Sequence, residues 1–202
     1  MIGKWNKSVI LTYMGTGLAV LSMLLLSIGL DPKYAIVCFI YAGVCDMFDG
    51  TVARRCKRTE DEKRFGIELD SLADVVSFVA LPIVILLSLG LNKIYCYPVY
   101  VMYAIFGIAR LAHFNITVED TSKPRKYYEG MPVTLTALIF PLTYILSFFI
   151  DKAVFNIFYL IEMLIVGILF IVKIKIPKPN LKVSLFLLLL AVIFSILYLF
   201  VL

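Results

Sequence analysis

The sequence VCDMFDGTVARR at residues 44–55 is followed, after a short charged connection, by FGIELDSLADVVSF at residues 65–78. Each stretch carries two aspartates within a largely apolar run, and the second also carries Glu68, which lies off the face of its aspartates. The aspartates are Asp46, Asp49, Asp70 and Asp74. Ionisable residues inside apolar helices are costly and are functional candidates by default. A separation of three or four residues places two side chains on one face of a helix. The sequence therefore predicts two neighbouring helices that present four carboxyl groups to one cavity.

The rest of the chain is too apolar for a soluble protein. Hydrophobic residues make up 62% of the 202 residues, and charged residues only 16%. A soluble domain of this size cannot bury that much apolar surface. Seven apolar stretches are long enough to cross a bilayer as helices with internally satisfied backbones. They cover approximately 8–30, 34–54, 66–90, 95–117, 132–150, 153–172 and 182–201. We therefore predict an all-α integral membrane protein, a polytopic bundle of about seven transmembrane helices that forms a single domain over residues 1–202.

The basic residues predict how this bundle is oriented. Most of the 19 lysines and arginines lie at the N-terminus and in every second connection. The positive-inside rule therefore places the N-terminus and the aspartates on the cytoplasmic side of the cell membrane. The same excess of positive charge favours contact with anionic membrane lipids. No soluble basic domain is present to bind nucleic acid, so we expect no nucleic-acid partner.

Four carboxylates in one cavity would repel each other and take up protons. A divalent cation removes that conflict, and oxygen ligands suit hard ions such as Mg²⁺, Mn²⁺ or Ca²⁺. Four aspartates could hold two ions, or one ion with a carboxylate left over as a base. For any single aspartate, the alternative is a hydrated helix end.

Small residues share the helix faces that carry the aspartates. They are Gly43, directly before the first stretch, Gly50 and Ala53 within it, and Gly66, Ala73 and Ser77 in the second. Small side chains let neighbouring helices, or a bulky ligand, come close to the backbone. Arg54 follows one turn after Gly50, and its planar guanidinium suits phosphate oxygens. Together these residues predict a pyrophosphate-binding site at the cytoplasmic surface.

In order, these positions read Asp46-x2-Asp49-Gly50-x2-Ala53-Arg54 and then Gly66-x3-Asp70-x3-Asp74. The pattern resembles the signature of the CDP-alcohol phosphatidyltransferases. Eleven residues separate Arg54 from Gly66, a longer connection than this family usually has. We expect the additional residues to form a solvated loop over Lys57–Arg64, because surface loops tolerate insertions.

The resemblance implies a mechanism and a set of site residues. A divalent metal, Mg²⁺ or Mn²⁺, would be bound by Asp46, Asp49, Asp70 and Asp74, and Asp74 would also be the general base. The donor would be CDP-diacylglycerol. Its nucleotide and pyrophosphate would be bound by Asp49, Gly50, Ala53, Arg54, Gly66 and, on the first helix, Thr12. The resemblance also implies a core of six helices, to which this chain adds one, and a homodimer.

Three further segments resemble the serine-using branch of the family. They are DSLADVVSF at 70–78, RLAHFN at 110–115 and YYEGMPVT at 127–134. The resemblance implies L-serine as the acceptor alcohol. The candidate acceptor-binding residues are Arg110, His113, Asn115, Arg125 and Lys126. A lone arginine inside a membrane helix is unlikely to face lipid, and the alternative for Arg110 is snorkelling to the interface.

Two other functions fit parts of the same pattern. A sister enzyme would use glycerol 3-phosphate or inositol phosphate as acceptor, with the basic cluster at Lys123, Arg125 and Lys126 holding the phosphate. A divalent-cation transporter would use the aspartates as a transit site. Such a transporter predicts broken helices or ionisable residues on both sides of the midplane. The aspartates of this chain lie near one face only.

Overall fold

The computed structural model describes residues 3–119, 127–177 and 180–201. Eight α-helices are present in these residues. They are α1 (Ile10–Ser27), α2 (Pro32–Arg55), α3 (Glu60–Asp74), α4 (Leu81–Ser88), α5 (Tyr97–Glu119), α6 (Thr136–Tyr144), α7 (Lys152–Ile171) and α8 (Leu181–Ile196). A π-helical segment, Val75–Ala80, joins α3 to α4, and a second one, Leu197–Val201, extends α8. Short 3₁₀ turns flank several of the other helices.

Within the described residues, six helical segments are long and apolar enough to cross a membrane. They are Lys7–Ser27, Pro32–Arg55, Glu60–Ser88, Ile94–Ile116, Lys152–Ile171 and Leu181–Val201. A seventh apolar helix, Val133–Phe148, is shorter and contains Pro141 in its interior. These seven segments coincide with the seven predicted stretches. The predicted all-α polytopic membrane fold is confirmed.

The connection between α2 and α3 differs from the prediction. The prediction of a solvated loop over Lys57–Arg64 is wrong from Glu60 onwards, because α3 begins at that residue. The backbone N–H of Glu62 donates to the Thr59 hydroxyl at 3.3 Å, and the backbone N–H of Thr59 donates to the Glu62 carboxylate at 2.8 Å. This reciprocal capping box starts the helix. Only residues 56–59 remain as a connection between the two helices that carry the aspartates.

A close helix contact explains one of the small residues. A Cβ atom on Gly43 would lie 2.5 Å from the Cβ of Ala137, so α2 and α6 approach each other at this point. Gly43 therefore serves helix packing and does not line a ligand slot. Close approach through small residues is the usual way in which helices associate within membranes.

The π-helical segment begins directly after Asp74. Pro82 lies four residues after Phe78 and has no N–H, so the Phe78 carbonyl lacks its α-helical donor. The hydroxyl of Tyr103 on α5 donates to this carbonyl at 2.7 Å. Single π-helical turns are frequent at functional sites. The irregular backbone is held in place by a neighbouring helix through a buried hydrogen bond.

A short antiparallel ribbon completes the fold and was not predicted. It pairs β1 (Tyr127–Glu129) with β2 (Lys175–Pro177), and Tyr128 lies opposite Ile176. The outer residues of each strand are exposed and the central ones are half-buried. Successive side chains of a strand alternate between its two faces. Tyr128 and Ile176 therefore point towards the helices.

Candidate functional site

Three of the predicted aspartates form a compact carboxylate cluster. Asp46 and Asp49 on α2 and Asp70 on α3 each offer one carboxylate oxygen, and these oxygens lie within 4.8 Å of one another. The hydroxyl of Thr12 on α1 donates to Oδ2 of Asp49 at 3.0 Å. The structure therefore brings the predicted Thr12 into contact with the cluster, across 37 residues of sequence.

Asp74 lies one turn deeper than Asp70 and is only 7% exposed. Its carboxyl group is in hydrogen-bond contact with that of Asp46. All four aspartates line one pocket with an empty volume of about 200 Å³. The opposite wall belongs to α1, through Leu11, Thr12, Gly15 and Thr16. Both helices thus direct their acidic residues into one space, as their spacing predicts.

The chemistry of this donor set fits a divalent cation. Asp46 contacts Asp74, and Asp49 contacts Asp70 through its side chain. Carboxylates in contact repel unless a proton or a cation lies between them. All the ligand atoms offered are oxygens, which hard cations such as Mg²⁺ and Mn²⁺ prefer. The cluster could therefore bind a metal.

The residues predicted for pyrophosphate lie at the end of α2 and the start of α3. Arg54 is exposed, and its Nη2 donates to the Thr51 hydroxyl at 3.1 Å. Its Nη1 lies 3.4 Å from where a Cβ on Gly50 would be, so the guanidinium folds back over this glycine. Ala53 is half-buried on the same helix. This end of α2 combines the accessible positive charge of Arg54 with a backbone that has no side chain at Gly50.

A second arginine has a similar position beside Gly66 and was not predicted. The Nη1 atom of Arg58 lies 3.8 Å from where a Cβ on Gly66 would be. Arg58 is half-buried although it belongs to the connection between α2 and α3. The sequence analysis assigned this residue to a solvated loop. No local pattern could show that the short connection turns its side chain back onto α3.

Arg110 on α5 lies near the aspartates but is not among the residues that line their pocket. It is 7% exposed, so the alternative interpretation of snorkelling is wrong. Asp74 and Asp46 are the acidic groups that interact with it electrostatically, and its Cζ lies 5.0 Å from the ring centre of Phe114. Its Nε has no hydrogen-bond partner within the described part of the chain. A buried guanidinium nitrogen without a partner is costly and suits an anionic ligand.

The other candidate acceptor residues are less close to the cluster. His113 is largely exposed, with Nε2 3.9 Å from Oε2 of Glu129 on β1. Asn115 accepts a hydrogen bond from the Ser71 hydroxyl at 3.0 Å and so ties α5 to α3 beside Asp70. Arg125 and Lys126, like Lys123, lie outside the described residues.

Tyr128 on β1 lies near the aspartates and Arg110 and was not identified by the sequence analysis. It lies within electrostatic range of Asp46, Arg110 and Arg54. Burial raises the pKa of its hydroxyl, which is therefore protonated at neutral pH and can donate a hydrogen bond. The YYEGMPVT segment marked this region, but only the pairing of β1 with β2 determines which tyrosine points inward.

Comparisons with known proteins agree with the geometry of this site. The family model that matches residues 5–197 is described as CDP-alcohol phosphatidyltransferase. The chain is 35% identical over 161 residues to CDP-diacylglycerol–serine O-phosphatidyltransferase of Saccharomyces cerevisiae, covering 70% of this chain and 57% of the yeast protein. It is 32% identical over 163 residues to the enzyme of the same name from Helicobacter pylori, covering 74% of this chain and 66% of that protein.

An archaeal relative has a related name. The chain is 29% identical over 158 residues to archaetidylserine synthase of Methanothermobacter thermautotrophicus, covering 78% of this chain and 64% of that protein. In each of these three comparisons, the chain spans less than two thirds of the relative's length.

Proposed function

Because this chain belongs to the CDP-alcohol phosphatidyltransferase family, we propose that it transfers a phosphatidyl group from CDP-diacylglycerol to the hydroxyl group of L-serine. The products would be phosphatidylserine and CMP. The observation that carries this proposal is the pocket in which α2 and α3 present four carboxyl groups opposite α1. Family membership favours this enzyme over a divalent-cation transporter.

Asp46, Asp49, Asp70 and Asp74 would hold the metal, Mg²⁺ or Mn²⁺. When bound, the cation neutralises these carboxylates and polarises the donor's phosphates. Thr12 would orient Asp49 through its hydrogen bond. Gly50, Ala53, Gly66 and Arg54 would accommodate the pyrophosphate, with the Arg54 guanidinium on phosphate oxygens.

The reaction breaks a phosphoanhydride bond and forms a phosphoester bond. The serine oxygen attacks the phosphorus that carries diacylglycerol, and the bond from this phosphorus to the bridging oxygen breaks. CMP departs with the electron pair of that bond. The serine hydroxyl proton passes to a base, and we assign this role to Asp74. It is the most deeply placed carboxylate, and Asp46 and Arg110 surround it.

Serine is favoured over phosphate-bearing acceptors by the names of the relatives. Those from yeast and H. pylori are named CDP-diacylglycerol–serine O-phosphatidyltransferase. A buried arginine lies near Asp74, with an Nε that finds no partner in the described residues. A guanidinium can bind a carboxylate or a phosphate. Arg110 would therefore bind the carboxylate of serine, and His113, Asn115, Arg125 and Lys126 are secondary candidates on the acceptor side.

The proposal also covers the orientation of the chain in the membrane and its oligomeric state. The whole of residues 1–202 would form a single membrane domain with its N-terminus and site on the cytoplasmic side. The charge distribution supports this orientation. The homodimer that the family resemblance implies stays a prediction.

The direct test is CMP release from CDP-diacylglycerol by the purified protein with a panel of alcohols. We expect release that depends on L-serine and on Mg²⁺ or Mn²⁺, together with incorporation of labelled serine into lipid. Glycerol 3-phosphate and inositol phosphate, supplied in parallel, should give little product. Incorporation of either phosphate-bearing alcohol in place of serine would overturn the assignment of the acceptor. Cation flux into vesicles without CMP release would overturn the assignment of a transferase activity and favour a cation transporter.

A further inference from the structure

Two sides of the acidic cluster are built by different elements. On one side lies α1, whose Thr12 contacts Asp49 and whose neighbouring residues line the pocket. Arg110 of α5 and Tyr128 of β1 define the second side. They are not among the residues that line the pocket, but both lie within electrostatic range of Asp46. The second side is the one that remains for the acceptor if the donor occupies the space between α1 and the aspartates.

The second side contains a built anion site. Arg110 is 7% exposed, and its Nε is unpaired among the residues that the structure describes. The ring of Phe114 covers the guanidinium, with 5.0 Å between Cζ and the ring centre. An arginine held in this way has hydrogen-bonding capacity left for a ligand.

Tyr128 is held next to this guanidinium by aromatic packing. Its ring centre lies 6.0 Å from that of Phe114, the same ring that Arg110 contacts. Its neighbours Tyr127 and Glu129 are both exposed on the other face of the ribbon. Strand alternation thus selects Tyr128 as the residue of β1 that turns towards the pocket.

The ribbon is firmly attached to the end of α7. The N–H of Gly130 donates to the carbonyl of Ile174 at 2.8 Å, and the N–H of Met131 donates to the carbonyl of Leu169 at 3.1 Å. Gly130 has a φ of +75°, a conformation that glycine adopts without strain. These bonds give Tyr128 a defined position, as a substrate-binding residue requires.

We propose that Tyr128 is an acceptor-binding residue, whose hydroxyl donates a hydrogen bond to the acceptor carboxylate that Arg110 holds and whose ring closes that side of the pocket. The inference rests on the proposed function, because it takes an amino acid as the acceptor. It adds a specificity-determining residue that lies on the ribbon, outside the helices that carry the signature.

The test is the Tyr128→Phe variant of the full chain, assayed with CDP-diacylglycerol and L-serine. The substitution removes the hydroxyl and keeps the ring. A lost hydrogen bond to a charged group should raise KM for serine about ten-fold or more. KM for CDP-diacylglycerol and kcat should change less than about two-fold, because the proposed hydrogen bond is made to the acceptor and not to the donor. The matched control is Tyr127→Phe, which removes the same group from the exposed face of the same strand and should match the wild type.

Other results would overturn the inference in distinguishable ways. If Tyr128→Phe leaves KM for serine unchanged, the hydroxyl does not bind the acceptor. If KM for CDP-diacylglycerol rises instead, Arg110 and Tyr128 bind the donor's phosphates. An equal loss in both variants would indicate a structural role of the ribbon. A wild-type protein that transfers to no amino acid would refute the proposed function itself, before any variant is compared.

Discussion

Asp74 has surroundings that set it apart from the other three aspartates. It is the last residue of α3, directly before the π-helical segment. It is buried, in hydrogen-bond contact with Asp46 and within electrostatic range of Arg110. Asp46, Asp49 and Asp70 form the compact oxygen cluster. This division supports a second role for Asp74, as the proton acceptor, in addition to its proposed part in holding the metal.

The Asp74→Asn variant separates these roles. The amide is nearly the same size but cannot accept the serine proton, so kcat should fall by about two to four orders of magnitude. Serine-dependent CMP release measures the effect, and an unchanged melting temperature in detergent would show that the fold is intact. The control is Asp61→Asn, an exposed acidic residue in the first turn of α3. If Asp74→Asn kept more than about a tenth of the wild-type rate, Asp74 would not be the base.

At the scale of single residues, the sequence analysis could place those residues whose positions follow from a local sequence pattern. The four aspartates follow from helical spacing, and Thr12 from the family resemblance. Tyr128 and Arg58 did not follow, since their positions depend on a ribbon and on a turn that only tertiary contacts define. Gly43 had the right spacing for a ligand slot, but it packs against Ala137, because a small residue serves both purposes equally well.

The β1–β2 ribbon is the element that the sequence analysis missed, for a physical reason. Each strand has three residues, too few for a period of two to be recognised, and the partners are far apart in sequence. The start of α3, by contrast, has a local signal in the sequence, because Thr59 and Glu62 have the spacing of a capping box. The sequence analysis predicted a loop there instead, because the residues of this segment are highly charged.

Gly130→Ala tests whether the ribbon positions the acceptor site. The new Cβ would lie 2.8 Å from the carbonyl oxygen of Phe170, in a backbone conformation that costs on the order of 1–3 kcal/mol for other residues. We expect a lower melting temperature in detergent and a higher KM for serine. The matched control is Gly17→Ala on α1, where a Cβ meets nothing within 4 Å and helix propensity favours alanine. Equal behaviour of the two variants would show that the ribbon does not depend on this glycine.

The whole molecule combines a membrane bundle with a polar site at one end. Seven apolar helices give the predicted architecture, and the aspartates lie in the C-terminal half of α2 and in the C-terminal part of α3. The charge pattern predicts that this end faces the cytoplasm. A donor with two acyl chains would approach from the bilayer, and a small polar acceptor from the aqueous side.

Sidedness can be measured by labelling single cysteines in a background where Cys38, Cys45, Cys56 and Cys96 are replaced by serine. Lys63→Cys lies in the exposed first turns of α3, on the same side as the site. Lys93→Cys lies in the connection before α5, on the opposite side. In intact cells, a membrane-impermeant maleimide should label position 93 and not position 63. The reverse pattern would invert the predicted orientation.

Binding of Mn²⁺ to the purified protein is the measurement that tests most directly whether the aspartates form a metal site. Loss of the free-ion signal in electron paramagnetic resonance reports binding without any need for turnover. We expect the wild type and Asp61→Asn to bind Mn²⁺, and Asp49→Asn combined with Asp70→Asn to lose it, since two of the three clustered ligands are removed. A wild type that leaves Mn²⁺ free, or a double variant that binds it equally well, would contradict the account.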